Sequence, residues 1–482
     1  MDKSIKKRQF AVVWFVEVWE RYAFYGFQSL FLLFITSERI SESEAYLIFG
    51  IFAALLYLTP TIGGYIADKY IGIKRALITG GILLFIGYAL LALSDSLNTV
   101  FWALSFIITG NGLFKPTPTA LISKIFNKND ASTHSAFTLY YMGVNIGSFL
   151  GIAIVPIIAK YTNYANAFWI SVLGMIVALL NYTLRAKLLN NINGECDGKA
   201  ISLKKATAVG LAVIIQILIC YQLFQISDIS FYLIIGFCLV MFVYMFKDAL
   251  RLQNRKQRFT QIVGIILVFE AVVYFIVYNQ MFSTLVLFAK HNVDLSLIGF
   301  KVSPASYSAV DSIWLILLSP ILAILYAKFK KNKSLNVPNK YVFGTFISGI
   351  AFISLYIICL LTAKQGMING NWMIFYFFFA ALAELLIAAI GFSLIAIYFR
   401  KEIVTIGMGF FMLAVAAGSV LSGKLGQLVA MPDAMVDPIH SLPVYMHYFI
   451  GLGLACIGLS VVYFILTLFI KTRARYHQVE LH

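Results

Sequence analysis

Apolar residues run through this 482-residue chain in long blocks, separated by short polar stretches. A block of about 18 or more apolar residues is long enough to cross a bilayer as a helix. Fourteen such spans can be drawn: 10–35, 45–66, 75–94, 99–125, 135–159, 165–184, 206–224, 229–249, 261–289, 306–328, 341–362, 371–398, 404–430 and 444–470. Backbone groups in lipid must be satisfied within the segment, so the spans are expected to be helical. Six spans come first, then a polar linker (186–205) containing NNINGECDGKA, then a pair, then six more. The pair, 206–249, carries almost no polar residue and reads as a hairpin outside the main bundle. The expected organisation is therefore a six-helix lobe (1–185), a linker with an extra transmembrane hairpin (186–258), a second six-helix lobe (259–472) and a tail (473–482).

Composition agrees with an all-α polytopic membrane protein: 61% of residues are hydrophobic and only 12% charged, with a mean hydropathy of +0.87. Soluble surfaces need far more charge. The formal net charge of +16 does not indicate a nucleic-acid partner, because the basic residues sit in alternate short loops. One set of loops holds Lys3, Lys6, Lys7 and Arg8; Lys69, Lys74 and Arg75; Lys124 and Lys128; Arg185, Lys187, Lys204 and Lys205; Arg251, Arg255, Lys256 and Arg258; Lys328, Lys330, Lys331 and Lys333; Arg400 and Lys401; and Lys471, Arg473 and Arg475. That asymmetry predicts both termini on the cytoplasmic side, consistent with an even number of spans. MDKSIKKRQ leads into a span too long for a signal peptide, so no cleavable leader is expected. The five cysteines are scattered without a CxxC pair, and the six histidines (134, 291, 440, 447, 477 and 482) lack HExxH spacing. Neither a metal site, a cofactor nor an enzyme is suggested.

Six plus six spans suggest the two-lobed major facilitator fold, with fourteen transmembrane helices once the hairpin is added and a substrate site at the midplane between the halves. The loop Gly64-Tyr-Ile-Ala-Asp68-Lys-Tyr-Ile-Gly72-Ile-Lys74-Arg75 resembles the loop pattern of that superfamily.

The informative residues are the charges that interrupt the apolar blocks. On insertion scales each costs about 2.5–3.5 kcal/mol at a span centre, and such groups persist where they face a cavity or one another. Glu17, Glu20 and Arg21 stand at i, i+3 and i+4, on one helical face, and Tyr25 and Gln28 continue the stripe. One arginine cannot neutralise two carboxylates, and Lys115 is the candidate for the missing cation. Pro116 and Pro118 follow Lys115, so a bend is expected there. A static salt-bridge cluster is the bland alternative. Glu384 lies mid-span with no charged neighbour in its own helix, Glu270 precedes Tyr274 and Tyr278 at i+4 and i+8, and Asp311 opens its span, where a simple helix cap is the competing reading. Cations in the first lobe and acids in the second suit a zwitterionic ligand.

These residues resemble a family, the proton-dependent oligopeptide transporters. Glu17-x-x-Glu20-Arg21-Tyr22-x-Phe24-Tyr25-Gly26 is similar to its E-x-x-E-R-F-x-Y-Y-G motif. Gly112-Leu-Phe114-Lys115-Pro116, Phe137-Thr-Leu-Tyr-Tyr-Met-Gly-Val-Asn145 and Ala383-Glu384-Leu385 resemble three further signatures, in the family's order. FIVYNQMFSTLVLFAKHNV looks like the bacterial dipeptide and tripeptide permeases of that family. The resemblance implies a symporter of the bacterial inner membrane, working as a monomer, that carries dipeptides and tripeptides with protons. It implies proton coupling at Glu17, Glu20, Arg21 and Lys115, and substrate contact at Tyr25, Lys115, Asn145, Tyr278, Gln280, Asp311, Trp314 and Glu384. Gln28 and Asn279 stand where many members have an arginine and an acid as an outer gate pair, so an amide pair is expected there. Asp311 stands where asparagine is usual, and Phe411 where tryptophan is common. A proton-coupled carrier of an amino acid, nitrate or a peptidomimetic is the alternative; a channel or a membrane enzyme fits the residues less well.

Overall fold

A computed structural model describes residues 3–37, 40–126, 131–198, 200–329, 336–432 and 436–476. Lys128, Lys330, Lys331 and Lys333 of the basic loops, together with His477 and His482, lie outside the described residues, as does the side chain of His134.

The apolar blocks are helices, as their lengths require. In chain order they are α1 (Lys3–Ser37), α2 (Glu42–Ile66), α3 (Ile73–Ala92), α4 (Leu97–Phe114), α5 (Pro116–Ile125), α6 (Ala131–Tyr161), α7 (Tyr164–Arg185), α8 (Leu203–Gln225), α9 (Ser227–Arg251), α10 (Arg255–Tyr278), α11 (Thr284–Asn292), α12 (Ala309–Phe329), α13 (Val337–Thr362), α14 (Met373–Ile387), α15 (Gly391–Tyr398), α16 (Val404–Gly426) and α17 (Pro438–Tyr476). Polar residues set several starts: Ser96, Asn163, Ser202, Asn254 and Asn336 each accept a backbone N–H of the first turn. Among the described residues thirteen helical stretches are long and apolar enough to cross a membrane. With α1, which is 35 residues long and interrupted by its charges, they make the fourteen membrane helices expected. Two spans break at positions without a proline: 3₁₀ turns at Asn279–Phe282 and Ala388–Ile390 divide α10 from α11 and α14 from α15. Among the described residues, strand structure is limited to two-residue pairings, Val293–Asp294 parallel to Ile368–Asn369 and Ser296–Leu297 antiparallel to Phe300–Lys301.

The chain forms two compact units, Met1–Ile40 with Leu55–Ser227, and Ser41–Ala54 with Asp228–His482. In the first, α1 packs on α6 and α7, α3 on α4 and α7, and α8 on α4. Glycines set the α1–α6 spacing: a Cβ at Gly147 would stand 2.3 Å from the Val18 carbonyl oxygen, and one at Gly151 2.4 Å from that of Tyr22. Small residues at this spacing let two membrane helices touch backbone to backbone.

The linker is a folded strap rather than a free loop. Asp197 Oδ1 accepts the Lys74 N–H at 3.0 Å and its Oδ2 accepts that of Gly194 at 2.7 Å. Lys74 Nζ donates to Asn193 Oδ1, and Gln9 Nε2 to the Leu188 carbonyl. Gly72, at φ +88°, lies under Asp197, where a Cβ would be 2.4 Å from its Oδ1. Only glycine suits both the conformation and the space.

In the second unit α13 packs on α17 and α14, α10 on α16, and α12 on α14. The start of α2 is tied into it. Glu42 Oε1 lies 3.3 Å from His291 Nε2, and its Oε2 accepts the Met431 N–H at 2.9 Å. The hairpin helices expose much of their apolar surface, as lipid-facing helices do. Tyr221 of α8 stacks on Trp102 of α4, with ring centres 4.2 Å apart, and Phe242 of α9 meets Phe410 of α16.

Candidate functional site

The glycine contacts of α6 fall beside Val18 and Tyr22, so they hold the charged face of α1 against α6. Glu17, Glu20 and Arg21 are all buried, at 3%, 0% and 4% exposure. Arg21 Nε donates to Glu20 Oε2 at 2.5 Å and lies 3.2 Å from Glu17 Oε1. One guanidinium nitrogen thus serves two carboxylates. Glu17 Oε2, Glu20 Oε1 and Arg21 Nη2 are buried without a hydrogen-bond partner. The guanidinium also lies over Phe24, 5.2 Å from the ring centre. Tyr140 of α6 acts on Glu17, and Tyr88 of α3 is within electrostatic reach of Glu20 and Arg21.

Lys115 occupies the single-residue break between α4 and α5, where Pro116 starts a new helix. The bend is therefore where the prolines put it. Lys115 is the candidate for the missing cation of the α1 cluster. Its ammonium makes no ion pair among the described residues. It stands 4.4 Å from the ring centre of Tyr57 in α2, a cation–π contact, while remaining within electrostatic reach of Arg21, Glu20 and Glu17. Arg21 is the cation that touches both acids. Tyr25 is half-buried beside Phe24. Gln28 is buried, with Oε1 lacking a partner. Asn145 donates to the Tyr141 carbonyl of its own helix at 2.9 Å.

In the second unit Asp311 is 5% exposed, with Oδ1 unpartnered. It stands in the first turn of α12 but is no surface cap. Glu384 on α14 also has a buried, unpartnered Oε2, and the two acids interact electrostatically. Leu315, Leu318, Ala381 and Leu385 pack these two helices together, with Trp314 beside them. Trp314 Nε1 donates to the Ile374 carbonyl and its ring meets Phe378, so it is committed to this packing. Tyr278 is half-buried and lines a small cavity with Tyr274, Ser348 and Tyr376. Phe411 lies over Gly391, where a Cβ would meet the ring. Glu270 is 2% exposed with Oε2 unpartnered, near Tyr341 and Tyr463.

The two amides of the 3₁₀ turn are bound within their unit. Asn279 Nδ2 donates to the Phe275 carbonyl and to Ser419 Oγ. Gln280 Nε2 donates to Ser422 Oγ at 2.8 Å, and its Oε1 accepts from Thr284 and Tyr448. At 0% exposure and with both ends occupied, Gln280 is a packing hub in this structure. Sequence reasoning missed Tyr57, Tyr88 and Tyr140. Tyr140 sits inside the quoted α6 signature; Tyr57 and Tyr88 stand in apolar runs that give no cue.

The pattern described as the POT family matches residues 74–442, a stretch that contains Lys115, Asn145, Asp311 and Glu384. Dipeptide and tripeptide permease B of Salmonella typhimurium is 34% identical over 458 residues, 94% of each chain. The crystal structure of tetrameric PepTSo2 superposes with a TM-score of 0.87 at 29% identity, covering 97% of this chain and 99% of that one. A bacterial homologue of the human drug peptide transporters PepT1 and PepT2 superposes with a TM-score of 0.84 at 30% identity, again over 97% and 99%. Charges set within the membrane helices, on α1, between α4 and α5 and on α14, the two-lobed major facilitator fold and a match across most of the chain place this protein in the POT family.

Proposed function

We propose that the protein imports dipeptides and tripeptides together with protons by alternating access. The observation that carries this reading is the α1 cluster, in which two buried carboxylates share one guanidinium. Of two buried acids that share one guanidinium, one is a place for a proton, since like charges so close disfavour double ionisation in a poorly solvated site. Protonation at Glu20 releases its hold on Arg21 Nε and leaves Arg21 to Glu17. That changes the charge felt by Lys115, which takes the peptide carboxylate with Tyr25. Asp311 and Glu384, which pair with no cation among the described residues, take the peptide amine, and Asn145 and Tyr278 contribute polar contacts. Gln28 and Asn279 serve as gate amides. Binding of peptide and of proton are thereby linked, as coupled transport requires. The protein acts as a monomer in the bacterial inner membrane, with both termini in the cytoplasm, as the distribution of Lys and Arg supports.

Thermal unfolding of the purified protein tests the substrate class. A ligand at 100 times its Kd stabilises the folded state by about 2.7 kcal/mol. Dipeptides and tripeptides with free amines should raise the unfolding temperature, while single amino acids and nitrate should not. Glu384→Ala should abolish the discrimination between free and N-acetylated peptides. Stabilisation by nitrate or amino acids but not by peptides would overturn the assignment.

A further inference from the structure

A groove of about 410 Å³ opens between α3, the end of the linker strap and α8. Its walls include Ile78 and Thr79 of α3, Ile201 of the linker, and Val209 and Gly210 of α8. These helices are membrane-crossing stretches, so the groove borders the bilayer. The one charged residue in its lining is Arg75. Bonds from Arg75 Nη1 to the Ile71 and Cys196 carbonyls hold the guanidinium at the rim. Lys204 and Lys205, in the first turn of α8 and next in the chain to Ala206 of the lining, are exposed. One end of the groove is therefore cationic and the remainder apolar, which is the complement of an anionic phospholipid. Inorganic phosphate would leave the apolar floor uncovered, and a zwitterionic lipid would leave the excess of positive charge unmatched. Basic pockets between membrane helices at headgroup level recognise such lipids.

We propose that this groove binds one anionic phospholipid, with an acyl chain along Ile78, Val209 and Gly210 and its phosphate at Arg75, Lys204 and Lys205. The extra hairpin thereby gains a role: α8 supplies one wall of a lipid site. The space over Gly210 is open, since a Cβ there would meet nothing within 4 Å.

Native mass spectrometry of the purified full chain, mixed with equal amounts of phosphatidylglycerol and phosphatidylcholine of matched chains, tests this. The wild type should retain one phosphatidylglycerol. Lys204→Gln with Lys205→Gln should reduce the preference over phosphatidylcholine about 30-fold. Gly210→Phe should place its ring in the groove and expel the lipid while the thermal shift with dipeptide is kept. Should that variant fail to fold, the lysine pair decides alone. Equal retention of the two lipids by the wild type, an unchanged preference in the lysine variant, or retention unaffected by Gly210→Phe would overturn the proposal. So would an oligomer that Gly210→Phe dissociates, because a second copy would then be the occupant.

Discussion

Replacing Arg21 by methionine keeps much of the side-chain volume and deletes the charge. Glu17 and Glu20, at 3% and 0% exposure, then face each other without the guanidinium that touches both. Deleting one partner of a buried ion pair costs about 3–5 kcal/mol. Glu20→Gln is milder. It gives up a charged hydrogen bond worth about 1.5–3 kcal/mol, but it leaves Glu17 and Arg21 one to one at 3.2 Å and removes the repulsion between the two acids. The double variant Arg21→Met with Glu20→Gln leaves Glu17 with Lys115 as the only remaining opposite charge of the group, so part of the loss should return, about 2 kcal/mol. Thermal unfolding in one detergent, followed by tryptophan fluorescence and by recovery on size exclusion, should rank the proteins as wild type, Glu20→Gln, double variant, Arg21→Met. If Arg21→Met is as stable as wild type, or the double variant falls below it, the charge arithmetic is wrong.

Two other changes probe the scaffold around the site. At Gly147 the Cβ of Ala would lie 2.3 Å from the Val18 carbonyl oxygen, where ordinary contact starts at 3.4 Å. α1 and α6 must then part by about 1.1 Å, an overpacking cost of about 1–3 kcal/mol; unfolding temperature and peptide uptake should fall together, and Gly147→Val should be worse. Gln280→Ala should destabilise by about 1–3 kcal/mol for each partner left unsatisfied among Ser422, Thr284 and Tyr448, with the peptide Kd of the folded fraction unchanged. A Kd raised tenfold at unchanged stability would return Gln280 to the substrate contacts.

The helices were legible because a bilayer demands long apolar runs, and the α1 cluster because three charges in one such run are costly unless they face a cavity or one another. Pro116 announced the break at Lys115. What Lys115 touches was not legible, because Tyr57 is far away in sequence and an aromatic residue in an apolar run gives no local sign of facing a cation. The break at Asn279–Phe282 lacks proline and glycine; it is held by bonds to Ser419 and Ser422 on α16, which only the tertiary fold supplies. Asp311 in a first turn reads as a cap, and its burial depends on how α12 packs on α14. The linker's polar composition suggested a loop, whereas Asp197 finds partners across the chain at Lys74.

Proton-driven uptake by Glu20→Gln in proteoliposomes tests the central claim most directly, with counterflow measured on the same vesicles. Counterflow of a labelled dipeptide should persist, since binding and the conformational cycle survive, while accumulation driven by an imposed inward proton gradient should vanish. Accumulation of the dipeptide against its gradient by Glu20→Gln at the wild-type level would contradict the assignment of proton coupling to the α1 cluster.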